Sequence, residues 1–283
     1  MNVFVTGLHG FIGQGVKAEF ERCGHKVFPV PREDLLLGGK GLDRITEQAE
    51  MIVNLAGTTV TGRWTEDRMI DILESRRVST RNLVDSVNRC SKKLQLFINA
   101  SAVGIYQPDR FCDEESSDIG NHFLAKVAHA WEEEVGKLRD VRKVVLRFGI
   151  VIASGGGALK KMMPWLKSRI ALVLGNGGQE FPLIHMEDIT GFMVYLLRHP
   201  ELEGVYNMVI PNSVNYREFV AALSGYKKPL LRLRVPAWVL GVIMGPASAV
   251  VTHSAHVIPW RLMKSGYEYK CRTAKDVVEE LKS

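Results

Sequence analysis

Cysteine is scarce in this sequence. Four occur in 283 residues, Cys23, Cys90, Cys112 and Cys271, and none forms a CxxC pair. That spacing argues against a zinc ribbon or a disulfide framework and reads as reduced thiols. The eight histidines contain no HExxH or HxxxH spacing, so no metal site is expected. The net charge is +6, yet no run of five like charges appears and both signs are mixed along the chain. A nucleic-acid role has little support on that pattern, whereas an anionic small ligand suits it. A membrane span needs ~20 apolar residues. The uncharged stretch from Val235 to Val251 is shorter and is broken by Gly245-Pro246. It reads as two short helices. No repeat or low-complexity segment stands out. The first strand is expected to begin at Met1, which leaves no room for a signal or transit segment. The expected location is therefore cytoplasmic. The expected partner is a small-molecule substrate, not nucleic acid or a membrane, and the chain is expected to act as a monomer or homodimer.

Apolar residues make up 46% of the chain, enough to fill a large core, and the length fits one large domain or a domain plus a smaller one. The first thirteen residues, MNVFVTGLHGFIG, organise the rest. Val3-Phe4-Val5, within Asn2 to Thr6, suits a strand buried on both faces. Gly7, Gly10 and Gly13 follow, and Phe11, Ile12 and Val16 open an amphipathic helix. Gly7 lets the chain turn sharply, Gly10 lets backbone approach a pyrophosphate, and Gly13 lets helix pack on strand. The first helical turn offers N–H groups and a positive dipole end to phosphates. A second strand, His25 to Val30, stands at the distance such a unit requires. A dinucleotide is the expected ligand. The first charged residue past that strand is Arg32, followed by Glu33 and Asp34. An arginine fork there pairs with a 2′-phosphate, so NADP is expected. Asp34 keeps NAD as the alternative, because an acid there would bond a 2′-hydroxyl.

Further strands are expected at Glu50 to Gly57, Leu94 to Ala100, Lys143 to Ile152 and Gly204 to Val209. Thr65 is placed to cap a helix reaching Cys90, and Asn215 to cap Tyr216 to Leu223. Ser101 falls at the end of the fourth strand, where ligands sit in open α/β sheets. Arg147 interrupts an apolar strand and needs an answering charge: a phosphate, a carboxylate or a protein acid. Gly155-Gly156-Gly157 precedes a helix over Ala158 to Lys167, a second candidate anion seat. Asp188 lies in the first turn of a helix through Leu197, and a last helix covers Thr273 to Leu281.

The GxxGxxG loop and the turn Asn54-Leu55-Ala56-Gly57 resemble the short-chain dehydrogenase/reductase superfamily. RWTEDR, ESRRVSTRNLV, ASAVGxY, FLAxVxxxWE, the FPLIHMED segment, VPAW and HVIPWRL resemble one epimerase-like family of its atypical branch, over Met1 to Leu281. The resemblance implies an α/β fold. A Rossmann-type doubly wound parallel sheet would occupy residues 1–201, with part of the pocket from 153–182. A smaller, mostly helical substrate lobe would occupy 202–283. It extends the expected cofactor set of Gly7, Gly10, Phe11, Ile12, Gly13 and Arg32 with Leu55, Ala56, Gly57, Arg76, Ser101, Arg147 and His185, the last in a positional role. It also places Ser101 and Tyr106 as the groups that hold and protonate a substrate oxygen.

One expected feature is missing. The superfamily uses a tyrosine with a lysine four residues on, sharing one helix face. None of the seven tyrosines here has that lysine. His122 and Lys126 have the spacing, but counting back from Glu132 puts the two slots at Leu124 and Ala128, both apolar. Two readings follow: an NADP-dependent oxidoreductase or epimerase-like enzyme using other groups, or a non-catalytic dinucleotide-binding regulator or redox sensor.

Overall fold

The structure is a computed structural model that describes residues 1–92, 94–224, 228–248 and 255–282. It begins with β1 (Asn2–Thr6), α1 (Phe11–Arg22) and β2 (Lys26–Pro29). Two short helices, α2 (Arg32–Leu37) and α3 (Lys40–Gln48), lead to β3 (Met51–Asn54). Then come α4 (Glu66–Arg89), β4 (Leu96–Ala102), the short β5 (Phe111–Cys112) and α5 (Phe123–Gly136). Thr65 caps α4 as expected, its side chain accepting from the Arg68 N–H.

The expected fifth strand divides at Gly149. β6 (Lys143–Phe148) stays in the central sheet, while β7 (Ile150–Ile152) leaves it to pair with β9 (Leu183–His185). The Gly149 N–H goes to Met208 O and the Ile150 N–H to Pro182 O, and a Cβ at 149 would collide with that Pro182 oxygen. Between them lie α6 (Gly157–Lys167) and β8 (Ile170–Leu174). After β9 come α7 (Met186–Arg198) and β10 (Gly204–Met208).

The six-stranded sheet has the order β10-β6-β4-β3-β1-β2, with every pair parallel. The direction of winding reverses between β1 and β3, which makes the crevice beyond their C-terminal ends the natural ligand site. β10 is the edge strand of this sheet, so the expected boundary after residue 201 falls before a strand that the sheet includes.

Beyond β10 run α8 (Tyr216–Leu223), β11 (Leu231–Val235), α9 (Ala237–Met244), β12 (His256–Val257), α10 (Trp260–Lys264) and α11 (Ala274–Glu280). Asn215 and Glu218 form a capping box on α8, and Thr273 and Asp276 form another on α11. The lobe is less helical than expected, because β11 pairs in parallel with β8 to make a second small sheet. The end of the uncharged stretch, from 249 to 251, lies outside the described residues. Among the described residues no helix is long and apolar enough to cross a membrane.

Strand alternation builds a core on each face of the sheet. Val3, Val5 and Val53 join Val16 and Phe20 of α1 on one face. Phe4 and Ile52 join Leu83 and Val84 of α4 on the other. Each such side chain contributes roughly 1.5–3 kcal/mol through burial.

The C-terminal segment is tied to the Rossmann domain through α7. The buried Asp188 carboxylate accepts the Lys270 and Cys271 N–H groups, at 2.7 and 3.1 Å, and the Tyr267 hydroxyl at 3.4 Å. Burial pushes its pKa up to about 6, against the pull of those donors. A raised carboxyl pKa favours the fold at low pH and loses that contribution as pH rises through the folded value. In urea unfolding, wild type should therefore gain about 1 to 2 kcal/mol relative to Asp188→Asn between pH 7 and pH 5. A difference independent of pH would refute this reading.

Candidate dinucleotide-binding site

The glycine loop closes as its spacing implies. Gly7 has φ +67°, a left-handed conformation that favours glycine, and the Gly10 N–H returns to Gly7 O at 2.9 Å. A Cβ at Gly13 would lie 2.7 Å from Leu8 Cα, so only glycine lets α1 pack this closely. Gly10 is the N-cap of α1, makes no side-chain cap bond, and is followed by a first turn free of acids. The cradle thus offers uncompensated N–H groups and a positive dipole end, which fits the diphosphate of a dinucleotide. Ile12 anchors the turn in the core. The Phe11 ring packs against Gly157, where a Cβ would lie 2.7 Å from its Cε1. The glycine run before α6 therefore rests on the phosphate loop.

A buried polar chain holds the strand ends beside this loop. Thr6 Oγ1 donates to Asn54 Oδ1 at 2.7 Å and accepts the Leu55 and Ala56 N–H groups at 2.8 and 2.9 Å. Asn54 Nδ2 donates to Thr80 Oγ1 and Asn99 Oδ1. The Leu55-Ala56-Gly57 turn lies against the loop as expected, and Gly7 stands so close that a Cβ there would be 3.1 Å from Leu55 O. The Leu55 and Ala56 N–H groups, however, serve Thr6 and not a ligand.

Arg76 reaches this turn from α4. A Cβ at Gly57 would lie 2.7 Å from Arg76 Cζ, so the guanidinium fills the space that glycine leaves. It donates to Thr58 O and Ile72 O and lies 5.0 Å from the Trp131 ring centroid. Burial lowers its pKa to about 10, the mark of a cation short of compensating charge. The buried Trp131 Nε1 has no partner among the described residues. These donors beside the turn make Arg76 a sound candidate for an anionic part of the cofactor.

Ser101 sits near the end of β4, 3% exposed, and donates to Glu132 Oε1 at 2.6 Å. Arg147 grips the same carboxylate, Nε to Oε1 at 2.9 Å and Nη2 to Oε2 at 2.7 Å. The protein acid that answers Arg147 is Glu132, which faces Nε and Nη2, while Nη1 faces Tyr106, so three of the five N–H groups are engaged within the protein. The Glu132 and Tyr106 interactions hold the Arg147 pKa high despite burial. The Tyr106 hydroxyl, expected to protonate a substrate oxygen, is engaged within the protein. Tyr106 is 1% exposed, its hydroxyl donates to Asn207 Oδ1 at 2.9 Å, and it accepts from Arg147 at 2.7 Å. Burial pushes its pKa up to about 12, so it clamps Arg147 and does not face a cleft.

Other candidates are placed plainly. His122 is the N-cap of α5, accepting from the Ala125 N–H, and Lys126 is exposed, so the pair is a cap and a surface cation. Ala128 is buried and Leu124 lies against Gly104, so both expected slots are apolar. His185 is buried at the N-cap of α7, and burial lowers its pKa, which leaves it a positional residue without charge for phosphate. Arg32 is exposed at the start of α2, just past β2. A surface cavity of about 340 Å³ lies between α4 and α5, lined in part by Leu73, Arg77 and His129, away from the glycine loop. Glu132, Thr6, Asn54 and Asn99 went unassigned in the sequence. The available signal was a polar residue ending each of three apolar strand runs.

This fold and loop define a Rossmann-type protein of the dinucleotide-binding class. The chain belongs to the NAD dependent epimerase/dehydratase family, whose pattern matches residues 3–209, and a domain of unknown function, DUF1731, matches 235–281. The epimerase family protein SDR39U1 of Mus musculus is 31% identical over 98% of this chain and 100% of its own length. The chloroplastic SDR39U1 homolog of Arabidopsis thaliana is 29% identical, over 99% of this chain and 86% of its own. The crystal structure of human SDR39U1 isoform 2 with NADPH superimposes with a TM-score of 0.91 at 27% identity, covering 99% of each chain. The resemblance to atypical short-chain dehydrogenases is thereby borne out.

Glu132 and Arg147 are largely buried, with side chains 16% and 8% exposed. Removing one partner leaves the other charge uncompensated. Glu132→Gln should cost about 3 kcal/mol in urea unfolding, and adding Arg147→Met should recover part of that loss. A single variant as stable as wild type would contradict the pairing.

Proposed function

We propose that the chain is an NADP-dependent oxidoreductase or epimerase-like enzyme, and that Ser101 and Glu132 replace the missing tyrosine and lysine in orienting the substrate oxygen. The observation that carries the binding half is the uncapped, acid-free start of α1 behind the Gly7–Gly13 loop. The human relative solved with NADPH supports the choice of cofactor. Gly10, Phe11, Ile12 and Gly13 would hold the diphosphate, Arg76 an adjoining anionic group, and Arg32 the 2′-phosphate. When bound, the cofactor supplies the site that gives or accepts hydride.

The chain's own residues then deal with the substrate oxygen. The Ser101 proton is committed to Glu132 Oε1 at 2.6 Å, so Oγ presents lone pairs. It suits a substrate hydroxyl that donates. In the oxidising direction that hydroxyl proton passes to Ser101 Oγ as the serine proton passes to Glu132. Arg147, held by Tyr106 and Asn207, fixes the carboxylate for this role. The proposed setting is the cytoplasm, with a small-molecule substrate and the chain acting as a monomer or homodimer. A second reading, a regulator that binds the dinucleotide without turnover, is favoured by the absent Tyr–Lys pair.

Cofactor oxidation or reduction over a substrate panel separates the two. Ser101→Ala should lower turnover at least ~100-fold with NADPH affinity unchanged, while Tyr106→Phe should act mainly on stability. No turnover with any alcohol or carbonyl substrate, alongside tight NADPH binding, would favour the regulator. By calorimetry, Arg32→Ala should weaken NADPH by roughly tenfold or more and leave NADH unaffected, whereas equal losses would refute the 2′-phosphate contact.

A further inference from the structure

Two long segments of the chain carry no acid. No Asp or Glu occurs between Asp140 and Glu180, or between Glu218 and Glu268. These segments supply α6, β8, β11 and α9, which form one connected strip. β11 pairs with β8, the Leu230 and Leu231 N–H groups bond Arg169 O at the α6–β8 turn, and Pro236 joins β11 to α9. Lys160, Lys161, Arg169, Lys228, Arg232 and Arg234 are all exposed on it. So are large apolar side chains. Leu230 is 75% exposed, Trp238 73% and Val242 70%, with Trp165, Leu231 and Leu233 also exposed. Single exposed apolar residues need no explanation, but six along one strip do. Leu231 and Leu233 lie on the two-stranded ribbon, Leu230 just before it, Trp165 on α6, and Trp238 and Val242 on α9. Basic segments with no acid of their own disfavour pairing with a second copy of the same strip. Indole and leucine side chains beside lysine and arginine match the boundary of an anionic bilayer, where buried apolar area and charge attraction add.

We propose that the α6–β8–β11–α9 strip seats the protein on an anionic lipid surface, lying on the bilayer without crossing it. The contact is peripheral, since no described helix can span. It is independent of the nucleotide reading, because none of these residues belongs to the cofactor cradle or the Ser101 network.

Vesicle co-sedimentation tests this with the full chain. The protein should sediment with vesicles containing phosphatidylglycerol, not with pure phosphatidylcholine, and release as salt rises to about 0.5 M. Lys228→Ala with Arg232→Ala should weaken partitioning roughly thirtyfold, about fivefold per cation. Trp238→Ala should weaken it roughly tenfold. Both variants should keep wild-type Tm and NADPH affinity, which shows them folded. Absence of sedimentation with anionic vesicles, equal binding to neutral ones, or unaltered binding by the folded variants would overturn the proposal. So would concentration-dependent dimerisation abolished by Trp238→Ala, which would assign the face to a second copy.

Discussion

A cation placed inside an apolar strand has to be answered, and the answer at Arg147 organises the centre of this molecule. Its guanidinium takes the Glu132 carboxylate from α5 and the Tyr106 hydroxyl from the turn after β4. Tyr106 reaches on to Asn207 of β10, and Glu132 reaches back to Ser101 of β4. Desolvating such a pair costs more than its attraction returns unless every remaining donor and acceptor is used. Here three of the five guanidinium N–H groups and the Tyr106 hydroxyl are engaged, and the consequence is geometric. The ends of β4, β6 and β10 and one face of α5 are held in a single arrangement, with Ser101 at its margin.

The second constraint is steric. Gly7, Gly13 and Gly57 are places where backbone or a guanidinium occupies the room of a side chain. Two of them bring α1 down onto β1 and β3, which aims the helix N-terminus at the crevice. The third admits Arg76 beside it. The cradle and the Ser101 network thus lie along the same edge of one sheet, the cradle at the reversal of its winding.

Much of this was legible in advance because it depends on local rules. Strand–glycine–helix spacing, the Thr65 cap, the Asn215 capping box and the alternation in β1 are all short-range effects. The absence of the Tyr–Lys pair was equally plain, and the structure finds apolar residues in both slots. The failures are long-range. The resemblance places Tyr106 at a substrate oxygen, yet its hydroxyl donates to Asn207, 101 residues away. Lys143 to Ile152 is one apolar run, but Pro182 and Met208 pull its halves apart at Gly149. β8 and β11 pair across sixty-one positions, too far for any periodicity to announce.

The sequence by itself determined the dinucleotide fold, the glycine cradle and the family, because each rests on residue types at fixed short spacing. It also showed that Arg147 required a partner. Only tertiary structure decided that the partner is Glu132, that Tyr106 is sealed, that Arg76 is buried without an ion pair among the described residues, and that two acid-free segments join in one strip. Burial, pairing and the joining of distant segments are properties of the folded surface, and no local pattern encodes them.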